Sequence, residues 1–113
     1  MGVVRACELP PGTRLETGRL ALSYCVIPSR IVVGGHFALE LAACAKPGAM
    51  LPARVKLDAH MPEHRHGMNY RPDLKPAGPG RYRSEGWLFH MPGRWEFVFE
   101  LDGERLTHSV RIE

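Results

Sequence analysis

The stretch Trp95-Glu96-Phe97-Val98-Phe99-Glu100-Leu101-Asp102-Gly103-Glu104-Arg105-Leu106-Thr107-His108-Ser109-Val110-Arg111-Ile112 decides the fold. Trp95, Phe97, Phe99 and Leu101 alternate with Glu96, Val98 and Glu100. Beyond Asp102-Gly103, Leu106, His108, Val110 and Ile112 alternate with Arg105, Thr107, Ser109 and Arg111. A period of two sends one set of side chains to a buried face and the other to solvent. Asp-Gly between two such runs is the signal of a two-residue type I′ hairpin. With that loop, Leu101 faces Glu104, Phe99 faces Leu106, Phe97 faces His108 and Trp95 faces Val110. Three of the four pairs bring apolar or aromatic side chains together, so turn and pattern specify the same register.

Working outward, Val55, Leu57, Ala59 and Met61 alternate with Arg54, Lys56, Asp58 and His60, and Leu20, Leu22, Tyr24 and Val26 form a similar run. Tyr82 to Phe89 is rich in aromatics and bounded by Gly78-Pro79-Gly80 and Pro92-Gly93. His36 to Ala45 contains helix-favouring Ala, Leu and Glu. Yet Phe37, Leu39, Leu41 and Ala43 alternate, and Gly34-Gly35 and Pro47-Gly48 close the run off, so it reads as a strand. Six or seven short strands without a convincing helix predict an all-β chain folded as a small antiparallel sandwich. Residues 1–18 read as an irregular N-terminal segment of a single domain spanning 1–113, and Arg71 to Gly80, with three prolines, as one long loop.

The size agrees with that reading, since 113 residues suffice for one modest core. A 44% apolar and 24% charged composition excludes a disordered chain, and 12 Gly with 10 Pro favour short elements joined by turns. No apolar run is long enough for a transmembrane helix. The net charge of +3 is spread along the chain with no clustered basic face, so nucleic acid is not an expected partner. Cys7, Cys25 and Cys44 give no C-x-x-C. In an oxidising compartment one pair of them can bridge, and the spacing leaves open which. Met1-Gly2-Val3-Val4-Arg5 lacks the apolar run of a secretory signal, so either the protein is cytosolic or an export segment lies outside this stretch.

Chemistry concentrates in Asp58-Ala59-His60-Met61-Pro62-Glu63-His64-Arg65-His66-Gly67-Met68. Pro62 stops the preceding strand from continuing as a central one. His64, His66 and Met68 stand at i, i+2, i+4, so an extended backbone projects all three to one side, with Gly67 allowing a bend. Imidazole with thioether and no nearby thiolate is a ligand set for copper, Cu(I) in particular. Zinc prefers Cys and His at tetrahedral spacing, and the cysteines lie elsewhere. His90-Met91 ends another predicted strand and offers two more donors at the same end of a sandwich. The candidate metal ligands rank His66, Met68, His64, Met91, His90 and Met61. Met61 comes last because it has the parity of its strand's buried face.

Other readings of the same residues are plainer. Met-Pro pairs often pack strand ends, and loop histidines are often solvated. His108 reads as a packed or rim histidine beside Phe97, His36 as solvated, and Met50 carries no assignment. A blue-copper site needs a Cys late in the chain, and none follows Cys44. No serine sits in a nucleophile-elbow pattern, and Asp58 and Glu63 form no acid–base pair, so no enzymatic activity is expected.

At the cluster just quoted, then at Gly80-Arg81-Tyr82, then at Phe89-His90-Met91-Pro92-Gly93-Arg94-Trp95, the chain resembles the YtkA-like family, whose pattern is close to D-A-x-M-P-x-H-x-H-G-M, G-x-Y, F-x-M-x-G-x-W. The likeness covers about residues 20–112. It implies an immunoglobulin-like or cupredoxin-like β-sandwich in an exported bacterial protein, periplasmic or otherwise extracytoplasmic. It also implies copper binding, with a respiratory-oxidase or copper-handling protein as a partner. Met61, His64, His66 and Met68 fall on the first motif, and Met91, Gly93 and Trp95 on the last, where His90 adds an imidazole. Trp95 reads as core at the base of the site.

Together these readings predict a periplasmic, non-enzymatic copper-binding accessory or chaperone-type domain. Because each histidine must be neutral to bind metal, its affinity is expected to weaken as pH falls through the range near ~6.5. The rival expectation is a structural or interaction module in which the same Met and His residues pack a loop against the Trp87 and Trp95 end.

Overall fold

The computed structural model describes residues 8–113. Nine strands form among them: β1 (Thr13–Glu16), β2 (Leu20–Ile27), β3 (His36–Ala45), β4 (Val55–Met61), β5 (His66–Gly67), β6 (Lys75–Pro76), β7 (Arg81–Leu88), β8 (Gly93–Leu101) and β9 (Glu104–Ile112). They make two antiparallel sheets, ordered β1-β2-β3-β7-β6 and β5-β4-β8-β9. The expected all-β antiparallel sandwich is what the chain builds, and its two-sheet arrangement is compatible with the immunoglobulin-like type.

The β8–β9 hairpin has the register the sequence dictates, with Leu101 opposite Glu104, Phe99 opposite Leu106, Phe97 opposite His108 and Trp95 opposite Val110. Asp102 and Gly103 take φ values of 48° and 85°, the two left-handed positions a type I′ turn needs. The Asp102 carboxylate also accepts the backbone N–H groups of Ala53 and Arg54 at 2.9 and 2.8 Å, which fastens the turn to the start of β4. β3 is a strand despite its helix-favouring composition. It pairs with β2 on one side and β7 on the other, and Phe37, Leu39, Leu41 and Ala43 are buried. Pairing along both edges outweighs local propensity here.

Between the sheets lies an aromatic core. Phe97 sits at its centre, with Tyr24, Phe37, Trp87 and Phe89 at ring-centroid distances of 5.4, 6.3, 5.4 and 5.6 Å. Burial of large apolar rings of this kind is the main favourable term in holding two sheets together. β7 bulges where it passes β3, and Gly86 there has φ 92°. The bulge brings both Ser84 and Trp87 into the interior. The Trp87 indole N–H donates to Ser84 Oγ at 2.8 Å, and the Ser84 hydroxyl donates to the Asp73 carbonyl.

Three expectations need correction. β1 lies inside the segment read as irregular, where only four residues pair along β2 and leave too short a period to detect. The Arg71–Gly80 loop is interrupted by β6, two residues long, which pairs with Tyr82 and Arg83. The strand count is therefore nine among the described residues, although two of the nine hold only two residues each. Of the cysteines, Cys25 carries a free thiol and Cys44 takes part in a disulfide, while Cys7 lies outside the described residues.

Candidate functional site

The methionine–histidine segment occupies one end of the sandwich. β4 stops at Met61 because Pro62 has no N–H to continue the ladder, and Pro62–His64 forms a single 3₁₀ turn. Arg65 follows in the left-handed region at φ 47°, reversing the chain so that β5 returns antiparallel to β4. The reversal sits at Arg65 and not at Gly67, which is itself in β5 opposite His60. It also breaks the expected common side of His64, His66 and Met68. His64 is exposed on the 3₁₀ turn, whereas His66 lies half-buried opposite Met61 on the core-facing side of its sheet.

His90 arrives from the other sheet. The chain leaves β7 after Leu88, crosses through Phe89 to Pro92 and enters β8, so this short connection bridges the two layers. There the His90 and His66 Nε2 atoms meet at 2.6 Å, with ring centroids 4.7 Å apart. Two bare lone pairs do not approach that closely, so one of the two nitrogens carries a proton and the other accepts it. His90 Nδ1 is buried and has no hydrogen-bond partner. In the metal-free state the least costly arrangement puts the His90 proton on Nε2, donating to His66. An N–H at Nδ1 would leave a buried donor without an acceptor.

Met61 completes this neighbourhood. It is fully buried, and as the cross-strand partner of His66 its side chain lies beside that imidazole on the same face, at Cβ separations of about 4.5–5.5 Å for such pairs. A Cβ added at Gly93 would lie 2.7 Å from the Met61 ε-methyl, so the thioether also abuts the start of β8, three residues beyond His90. Met68 and Met91 are half-buried against the core cluster. Below His90 the fully buried Trp95 stacks on Phe89 with centroids 4.3 Å apart, meets the His90 ring edge-on at 5.6 Å, and donates its indole N–H to the Met91 carbonyl at 3.0 Å. Trp95 is core at the base of the site, as the sequence predicts.

Of the six predicted ligands, then, His66 and His90 come together, Met61 pairs across from His66 on the same face, Met68 and Met91 pack against the core cluster, and His64 is exposed on the 3₁₀ turn. Burial ranked Met61 last, yet the buried face of β4 is the face toward which His66 turns. Gly93, whose missing side chain leaves room for the Met61 methyl, bears on the packing of Met61 and not on its pairing with His66. His60 points the opposite way, 3.2 Å from Glu96. Glu63 is an exposed surface charge, held by Arg94 at 2.6 Å, and the Arg94 guanidinium lowers its carboxyl pKa. Arg94 also reaches Ser109 at 2.8 Å, so the 3₁₀ turn is tied to β9 across β8.

The donor set can be tested against a metal ion. Among the described residues no group of three or more His, Cys, Asp or Glu side chains could hold one, which removes the usual zinc arrangements. Two imidazoles with a thioether remain, and that set is soft. Two nitrogens bound tetrahedrally at about 2.0–2.1 Å stand about 3.3 Å apart. The pair would open by less than an ångström from its 2.6 Å contact. Coordination through His90 Nε2 moves its proton to Nδ1 or into solvent, and a buried N–H without an acceptor costs about 1–3 kcal/mol. Any metal bound there would have to outweigh that cost.

No protein-family model matches this chain, and no curated protein matches it.

Proposed function

We propose that this chain is a copper-binding accessory domain that holds Cu(I) with His66, His90 and the thioether of Met61, flanked by Met68 and Met91. The observation that carries the reading is the meeting of two imidazole Nε2 atoms, 2.6 Å apart, from segments 24 residues apart in sequence and beside a buried thioether. A neutral sulfur donor has little attraction for Mg²⁺, Ca²⁺ or Zn²⁺ and binds Cu(I) well. The site offers an ion both a soft ligand and a dry wall of Trp95 and Phe89, while His66 keeps one side open to exchange. Such a domain carries or buffers copper and performs no reaction on it. An extracytoplasmic setting, with an oxidase-assembly or copper-handling protein as recipient, follows from the motif resemblance.

Anaerobic titration with Cu(I) against a chromogenic chelator tests this. One equivalent is expected to bind, with affinity reduced about 100-fold or more in His66→Ala and in His90→Ala and unchanged in His64→Ala. Failure to compete with the chelator, or equal retention in all three variants, overturns the proposal.

A second reading is favoured by the unpartnered His90 Nδ1 alone. With His90 donating from Nε2, the two imidazoles form a latch that fastens the β4–β5 turn to the β7–β8 connection, and the domain serves as an interaction module. His66→Ala would then loosen that end without affecting any metal.

A further inference from the structure

The loop joining β2 to β3 closes the same end of the sandwich as the histidine pair. β2 ends there at Ile27, β4 at Met61, β7 at Leu88 and β9 at Ile112, while β3 and β8 begin there at His36 and Gly93. The loop is held in shape. The Gly34 N–H donates to the Phe89 carbonyl at 2.9 Å, one residue before His90, and the Gly35 N–H donates to the Val32 carbonyl at 3.1 Å. That turn leaves Val32 and Val33 exposed at its tip, with Ile27 exposed at the loop's start. Tyr70, also exposed, comes to the same end, its ring 6.2 Å from that of His36. Four of the six large hydrophobic side chains that stay exposed among the described residues therefore share one end. Met50 and Leu51 lie at the other, between β3 and β4.

Free positive charge gathers at the same end. Arg30 lies in the β2–β3 loop, Arg65 in the β4–β5 turn and Arg71 beside Tyr70, and all three are exposed. None has a carboxylate within ion-pairing distance among the described residues. Of the carboxylates here, Glu63 is held by Arg94, and Glu113 follows β9. At the opposite end Arg19 and Lys46 are matched by Glu104 and Glu16 at 2.5 and 3.4 Å.

A contiguous exposed apolar patch rimmed by charge marks an interaction surface. Valine is under-represented at the energetic centres of protein–protein interfaces. Branched aliphatic side chains gain by leaving water for acyl chains, tyrosine settles at headgroup level, and arginines are drawn to anionic lipid. A loop already held in shape also docks with little ordering cost. We propose that this end of the domain docks on the surface of an anionic bilayer. Val32 and Val33 enter the headgroup boundary, and Arg30, Arg65 and Arg71 meet lipid phosphates. The domain lies on the membrane without crossing it. This inference is independent of the copper reading, since none of these residues belongs to the donor set.

The test is flotation with vesicles of phosphatidylcholine carrying about a quarter phosphatidylglycerol, beside vesicles of phosphatidylcholine alone. The chain should float with the anionic vesicles and bind the neutral ones about tenfold or more weakly. Val32→Ser/Val33→Ser and Arg30→Gln/Arg65→Gln should each lose about tenfold or more in affinity, whereas Met50→Ser, at the far end, should bind as the wild type does. A gadolinium-chelating lipid in the same vesicles gives a second measurement on the unaltered chain. It should broaden the amide signals of Arg30, Val32, Val33 and Arg65 and spare those of Met50 and Leu51. Absence of flotation overturns the proposal and leaves the patch to a protein partner. Equal binding to both kinds of vesicle, undiminished binding by either double variant, or broadening centred elsewhere overturns it too.

Discussion

Replacing Gly93 by alanine probes how the wall beside the histidine pair is built. Gly93 has φ 130°, a region that costs a residue with a side chain about 1–3 kcal/mol. The new Cβ would also stand 2.7 Å from the Met61 ε-methyl, too close for contact. Methionine is flexible, but this one is fully buried, so overpacking adds about 1–3 kcal/mol. Gly93→Ala should therefore destabilise the fold by about 2–6 kcal/mol, out of the roughly 5–15 kcal/mol typical of a whole domain. Met61→Ala alone should cost about 2–5 kcal/mol through its cavity. The double variant removes the atom that clashes, so its cost should fall short of the sum by about 1–3 kcal/mol, the overpacking share. Urea unfolding followed by the fluorescence of buried Trp87 and Trp95 gives all four corners of the cycle. Additivity within about 0.5 kcal/mol would refute the reasoning, since it would mean that backbone strain acts alone and the Met61 methyl does not touch this position.

Burial pushes the Tyr24 phenol up from 10.0 to about 12, against the lowering effect of a Thr13 hydrogen bond. A raised acid pKa means the folded state resists losing that proton, so stability should be intact below pH 10 and fall between pH 10 and 12. Tyr24→Phe should remove that alkaline loss, as read by thermal melts across the range. Asp102 titrates below the usual carboxylate range because the Ala53 and Arg54 amides donate to it. Its contribution is therefore present above the ordinary carboxylate pKa and lost as pH drops through its depressed value. Asp102→Asn tolerates the same positive φ but presents one acceptor oxygen to two N–H groups, so it should lower the melting temperature at pH 7 and make no difference once both variants are measured at strongly acidic pH. Ser84→Ala would strand the buried Trp87 indole N–H and should cost about 1–3 kcal/mol in chemical denaturation.

The hairpin was legible to the residue because turn chemistry and alternation agree there. Asp102-Gly103 permits one loop, and one register puts Phe97 and Phe99 inward. β3 was legible for a related reason, since its glycine and proline boundaries limit it to a strand's length. β1 and β6 escaped because short edge strands are selected by what they pair with, and a pairing partner leaves no period in four residues or two. In the site, parity correctly buried Met61 but could not show that burial and proximity to His66 coincide. That required knowing that Arg65 reverses the chain within one residue, and nothing in an arginine announces a left-handed backbone. The same reversal removed His64 from the side on which i, i+2 spacing had placed it. The end of its predicted strand placed His90 at the same end of the sandwich, but not against His66. Its arrival depends on the crossing between layers, a long-range event that sequence spacing does not encode.

Among the described residues β9 is the last strand of its sheet, nine residues whose outer backbone groups form an open template. Suppose two copies of the chain zip together there, antiparallel and along the strand's whole length. Arg105 of each would then face Arg111 of the other, twice over, and like charges set directly opposite oppose the union. The same nine residues that finish the core thus discourage fibril-like stacking with a sister molecule.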